Sequence, residues 1–173
     1  VIFRLFATHT STTVLFAACL LFAMPPLALA QGTYSVCPSG CDYTSPATAV
    51  NDAARVDGDT IEITTGSYTL DATMQVVNSI TINGNGSTLN ANGNRALEVT
   101  GTSPIVIVNN AIIRNGRDPG ESSGGAIMVS GGATLTLNGA TVENSSADGS
   151  GGGLSNSDSL VNIIDSAFLN NDS

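Results

Sequence analysis

The sequence predicts an all-β solenoid of stacked parallel strands, and three observations carry that expectation. Three apolar pairs, Ile105/Ile107, Leu135/Leu137 and Val161/Ile163, recur at steps of 30 and 26 residues. Leu97, Ile127 and Leu154 precede them by 8, 8 and 7 residues, and Ile112, Val142 and Phe168 follow the second member by 5 every time. Self-similarity at such a period marks a stacked repeat, whose units bury their inward faces only against neighbouring units. Ile61/Ile63 and Ile80/Ile82 keep the same apolar-x-apolar spacing, which sets both members on one face of a short strand. Between the pairs lie Asn83-Gly84-Asn85-Gly86, Asn92-Gly93, Gly131-Gly132 and a Gly-rich run over 149–153, residues that tolerate positive φ and turn a chain sharply. An antiparallel sandwich is the competing architecture. The repeat register, with strands of roughly 3 to 5 residues, favours the solenoid.

Three regions follow in order. Residues 1–30 read as an export signal: Arg4, a mostly apolar run over 14–24, Pro25-Pro26, and Ala28-Leu29-Ala30 as a small-x-small cleavage site. The run is short for a bilayer span, and an uncleaved N-terminal anchor is the competing reading. Residues 31–58 read as an N-terminal cap. Positions 33–36 suit a short strand and positions 45–56 a helix, in which Ser45 can cap, Pro46 fits the first helical position, and Ala47, Val50, Ala53 and Ala54 form a small apolar stripe before Asp57-Gly58. One short helix is marginal alone in water, so it is expected to plug the front of the column. Residues 59–173 read as five coils. Asn109, Asn138 and Asp165 follow their pairs by one or two residues, and stacked amides can hydrogen-bond along a column. Tyr68, five residues after Ile63, falls on a core position. Phe168-Leu169-Asn170-Asn171 runs on to Ser173 with nothing to cover the last rung, so the β-helix is expected to be truncated at the C-terminus.

Charge narrows the partners. The 173 residues suit one domain, and they carry 14 acidic and 5 basic side chains, the latter all arginine. Beyond residue 30, four arginines face fourteen acids, a net charge of −10. Such a surface repels phosphate backbones, so no nucleic-acid partner is expected, and an anionic membrane surface is disfavoured too. No transmembrane segment is expected after the signal. Cys19 lies in the signal, which leaves Cys37 and Cys41 around Pro38-Ser39-Gly40. In an oxidising compartment this pair reads as a small disulfide, with free thiols as the alternative. A zinc site lacks further soft ligands, since the one histidine, His9, is also in the signal.

Candidate chemistry is sparse. The segment Arg114-x-x-Arg117-Asp118-Pro119-Gly120-Glu121 sets arginines beside carboxylates in the longest inter-strand excursion. Arg114, Arg117, Asp118 and Glu121 are therefore the candidates for work on a uronate or for general acid/base catalysis, against the plainer reading of a solvated loop with compensating charges. Asp57, Asp59 and Glu62 offer oxygen ligands that suit calcium, against a polar coil start. No other cofactor is expected. A Ser/His/Asp triad is excluded without a histidine beyond the signal, and three tyrosines with no tryptophan leave few platforms for stacking sugars.

Two segments carry a resemblance. Gly58-Asp59-Thr60-Ile61-Glu62-Ile63, followed by Gly66-Ser67-Tyr68, resembles the opening coil of secreted right-handed parallel β-helix proteins of the pectate-lyase-like superfamily. Gly124-Gly125-Ala126-Ile127 and Phe168-Leu169-Asn170-Asn171 resemble the GGAI and FxxN repeats of the polymorphic outer membrane proteins, whose surface-exposed passenger regions are β-helical and implicated in adhesion. The resemblance covers residues 57–171. Gly151-Gly152-Gly153-Leu154 and Ile112-Ile113-Arg114-Asn115 are approximate copies, and Val142-Glu143-Asn144-Ser145 lacks the final Asn. The resemblance implies a right-handed parallel β-helix, secreted or held at the cell surface or outer membrane. The expected function is a non-catalytic surface or passenger module in adhesion or envelope structure, with host or envelope surface components or polysaccharide as partners. The alternative is a polysaccharide lyase or glycoside hydrolase whose site lies partly beyond Ser173.

Overall fold

The computed structural model describes residues 30–118 and 123–173. The export-signal expectation, with Arg4, His9 and Cys19, lies outside the described residues, as does Glu121. Strand β1 (Thr33–Val36) and helix α1 (Pro46–Asn51) precede five windings. The first winding holds β2 (Thr60–Ile63), β3 (Ser67–Thr69) and β4 (Met74–Val76), and the second β5 (Thr81–Asn90) and β6 (Leu97–Val99). The third holds β7 (Ile105–Arg114), β8 (Arg117–Asp118) and β9 (Ile127–Val129). The fourth holds β10 (Thr134–Asn138), β11 (Thr141–Glu143), β12 (Ser146–Ala147) and β13 (Leu154–Asn156), and the fifth β14 (Leu160–Ile164) and β15 (Ala167–Leu169).

Every named strand pair is parallel, which rules out the antiparallel sandwich. A nine-stranded sheet follows the order β1-β2-β5-β7-β10-β14, with β3, β11 and β15 on its flank. A four-stranded sheet, β4-β6-β9-β13, and a two-stranded one, β8-β12, form the other walls. The fold class read from the sequence is therefore the observed one, an all-β parallel solenoid with a single short helix among the described residues. Strands β5 and β7 reach ten residues, longer than expected, because each runs on past an irregularity at the corner, between Asn83 and Ser87 in β5.

The inward columns correct the sequence register at three places. Leu135 and Leu137 stack on Val106 and Val108, not on Ile105 and Ile107. Val106 and Val108 are buried while Ile105 is 56% exposed. The segment Ile105-Val106-Ile107-Val108 is apolar on both faces, so a period of two cannot choose between them, and a slip of one residue exchanges the faces. The same ambiguity at Ile112-Ile113 is settled for Ile113, which pairs with Val142. Ile61 pairs with Ile82 rather than with Ile80, a winding of 21 residues. Tyr68 is core as expected, in a column with Leu89, Ile113, Val142 and Phe168.

The cap is shorter than the sequence suggested. Ser45 caps α1 through its hydroxyl, which accepts from the Thr48 N–H, and Pro46 begins the helix. The helix stops at Asn51 because Asp52 turns to extended backbone and its carboxylate accepts the Ala54 N–H, a local bond that competes with the helix. Ala53 and Ala54 are left exposed, while Pro46, Ala47, Ala49 and Val50 are buried where α1 packs on β4, β2 and β1. The Cys37–Cys41 disulfide is formed, with its Cα atoms 5.6 Å apart. Among the described residues, no helix is long and apolar enough to cross a membrane.

Candidate functional site

Alternation along β8 separates the two charges that the sequence placed together. Asp118 faces inward and is buried, and Arg117 faces solvent, where it meets Asp148 at 3.4 Å. The partner of Asp118 is Arg95, which sequence reasoning missed: Nη2 donates to Asp118 Oδ2 at 2.7 Å. Arg95 also donates through Nε to Gly124 O at 3.0 Å, through Nη2 to Ser123 O at 2.9 Å, and through Nη1 to Glu98 Oε2 at 3.2 Å. One buried guanidinium thus ties the windings of β6, β8 and β9 together. The signal for it was present, since an arginine one residue ahead of the apolar Ala96-Leu97 entry to a strand must find a counter-ion. Arg114 lies on the outward face of β7, between Asn90 and Glu143 in register, with no partner for its buried Nε among the described residues. Of the acid/base candidates among the described residues, Arg114 and Arg117 face outward and Asp118 faces inward.

Asp57, Asp59 and Glu62 are also separated. Asp57 accepts the Ser79 N–H at 2.7 Å. Asp59 is fully buried and accepts the N–H groups of Gly32 at 2.8 Å and Val56 at 3.0 Å, with Arg55 Nη1 3.6 Å away. It pins the N-terminal strand to the first winding. Glu62 lies on the outer face and accepts from the side-chain amides of Asn83 and Asn85. Among the described residues, no group of three or more His, Cys, Asp or Glu side chains could hold a metal ion.

At the cap, Arg55 stacks on the Tyr34 ring at 3.2 Å and donates to the Tyr43 hydroxyl at 3.1 Å. The Tyr43 hydroxyl in turn donates to Asp52. That bond holds the Asp52 carboxyl below the usual range, helped by the Ala54 N–H, and it pushes the Tyr43 phenol up. The Ser35 N–H and then the Ser35 hydroxyl hold Asp42 low. A groove of about 340 Å³ lies over α1, lined by Ala47, Thr48, Asn51, Asp52, Asp71 and Ala72, and Asp71 accepts from Ser45. A second cavity, of about 480 Å³, lies over Leu154, Ile163 and Phe168.

The most regular feature is the outer face of the nine-stranded sheet. One outward row reads Thr33, Thr60, Thr81, Ile107, Thr136 and Asn162, and the next Ser35, Glu62, Asn83, Asn109, Asn138 and Ile164. Within the second row Asn138 Nδ2 donates to Asn109 Oδ1 at 3.1 Å, Asn109 Nδ2 donates to Asn83 Oδ1 at 2.8 Å, and Asn83 donates to Glu62. The amide ladder foreseen from Asn109 and Asn138 is real, but it starts at Glu62 and Asn83, and Asp165 is not in it. Ile164 takes that register position, and Asp165 turns the following corner at φ 47°.

The glycine motif has a steric cause. Gly124-Gly125-Ala126-Ile127 stacks in register on Gly151-Gly152-Gly153-Leu154 through four backbone hydrogen bonds. A Cβ on Gly125 would lie 2.2 Å from Ser146 O and 2.4 Å from Gly152 O. Asn171 accepts the Ser145 N–H and donates to Val142 O, clasping the winding beneath. One winding earlier the Ser145 hydroxyl stands in that place and accepts the Gly116 N–H at 3.0 Å, which accounts for the missing Asn. Comparison with family models, with curated proteins and with solved structures finds no match for this chain.

Proposed function

We propose that this chain is an exported, non-catalytic β-helical module that displays a long polar face for adhesion or cell-envelope structure. The finer fold reading is a right-handed helix of the pectate-lyase-like superfamily, whose glycine and Phe-x-x-Asn repeats resemble polymorphic outer membrane passenger regions. The observation that carries the functional reading is the outward face, where hydroxyls and amides recur along two rows at about 4.8 Å per rung, interrupted by Ile107 in one row and by Glu62 and Ile164 in the other. A rigid array of like groups suits many weak contacts with an extended partner, such as a polysaccharide or a surface component of host or envelope. The acid excess supports a partner that is not a nucleic acid.

A second reading rests on Arg114, whose buried Nε has no partner among the described residues and whose register neighbour is Glu143, past the corner of β7. One pair of assays separates the two. Binding to immobilised polysaccharides and envelope fractions is expected for the protein and is expected to weaken when Thr60, Thr81 and Thr136 are replaced by glutamate. Release of unsaturated sugars from uronate polymers, lost in Arg114→Ala, would overturn the non-catalytic reading.

A further inference from the structure

We propose that Asn92 is the site at which the folded chain deamidates spontaneously, ahead of every other asparagine in the coils. Five Asn-Gly steps occur, at Asn83, Asn85, Asn92, Asn115 and Asn138. In such a step the glycine nitrogen reaches the asparagine Cγ with no Cβ in its path. The N–Cγ bond forms, the Cγ–NH2 bond breaks and ammonia leaves. Solvent water then opens the cyclic imide at either carbonyl, giving aspartate or isoaspartate.

The reaction requires the side-chain amide to leave its hydrogen bonds and swing over its own backbone. Four of the five are held. Asn83 donates to Glu62 and accepts from Asn109. Asn85 Nδ2 lies 3.1 Å from both Glu62 Oε2 and Ile63 O. Asn115 Nδ2 donates to Asn90 Oδ1 at 3.1 Å, and Asn138 is bound in the ladder.

Asn92 differs. It is exposed at the corner between β5 and β6, and among the described residues only its backbone N–H is bound, to Asn90 Oδ1. The turn is closed by the Asn94 N–H on Ala91 O at 3.0 Å, with φ 54° at Asn92 and 81° at Gly93. One restraint opposes the attack, the Gly93 N–H donated to Asn115 O at 3.0 Å, and this corner must open for reaction. Each amide bond that a competing asparagine must break adds a net 0.5–1.5 kcal/mol to its barrier, about 2- to 12-fold in rate. The product adds a carboxylate outside the strand ladders, so the coil survives the change.

The test holds the folded protein at mildly alkaline pH and follows each Asn-Gly peptide by mass spectrometry and by isoaspartate-specific methylation, beside a sample unfolded in urea. The expected result is Asn92 converting first in the folded protein, by about 2- to 12-fold or more, with all five converting at similar rates in urea. Equal or faster conversion at any of the other four in the folded protein would overturn the assignment. So would an Asn92 that is inert when folded and reactive in urea.

Discussion

Leu137 and Ile163 occupy one inward column a winding apart, yet Leu137 is fully buried and Ile163 is 53% exposed. Val142 and Phe168 repeat the contrast, at 0% and 38%. At the front, Ile61 and Ile63 are fully buried beneath β1 and α1. Identical sequence patterns thus give different burial, because a rung is stabilised by what lies above and below it rather than by its own contacts. The fourth and fifth windings are a built-in control for each other.

The largest effect should come from the middle of the column. Leu137→Ala is expected to destabilise the fold by about 2–5 kcal/mol through lost burial and an unfilled cavity. Ile163→Ala, half exposed in the same column, should lower stability by less than about 1 kcal/mol. Urea midpoints of the two variants make the comparison, and equal losses would break it. Next comes the contrast between ion pairs. Asp118→Ala leaves Arg95 buried with Glu98 as its one remaining carboxylate partner among the described residues, and a loss of about 3 kcal/mol is expected. Asp148→Ala removes the exposed partner of Arg117, where about 0–1 kcal/mol is the usual range. Thermal melts of both variants, read at two salt concentrations, distinguish them.

Smaller again is the amide ladder. Asn109→Ala breaks two side-chain bonds on the outer face, and a loss of about 1 kcal/mol is expected. Asn156→Ala in the fifth winding's approach, where the amide's one bond among the described residues is local, to Ser159 O, should have less effect. The pH dependence of the cap is the finest test. Asp42 and Asp52 titrate lower in the folded chain than in the unfolded one, so the unfolded chain binds more protons in that window and stability rises with pH. Their contribution is complete above the ordinary aspartate value of about 3.9 and is lost as acid carries the pH down through the depressed values. Asp52→Asn should flatten that acid limb in a denaturation series, and an unchanged limb would detach the Tyr43 bond from stability.

How far the sequence could be read follows from the same physics. The column, the corners and the cap were legible because a two-residue period and Gly/Asn corners are local signals. The register at Ile105 and Ile112 was not, since β-branched residues on both faces leave the choice to packing with Leu135, Leu137 and Val142. Strand β8 was missed as a strand because Arg117-Asp118 carries no apolar pattern, and its partner Arg95 lies 23 positions away along the chain. The ladder was half visible: Asn109 and Asn138 stood after apolar pairs, whereas the role of Glu62 as its first acceptor depends on register between windings. The charged segment after Arg114 looked like one site in sequence. Alternation along a strand sends neighbouring side chains to opposite faces, and no motif length reveals that.

The measurement that most directly tests parallel, in-register stacking is a set of spin-label distances along one outward row. Labels at Thr33 paired in turn with Ile107, Thr136 and Asn162 should give backbone separations rising by about 4.8 Å per rung, to about 24 Å for the last pair. Separations that fail to rise in equal steps, or that shorten for Asn162, would contradict a column of parallel windings.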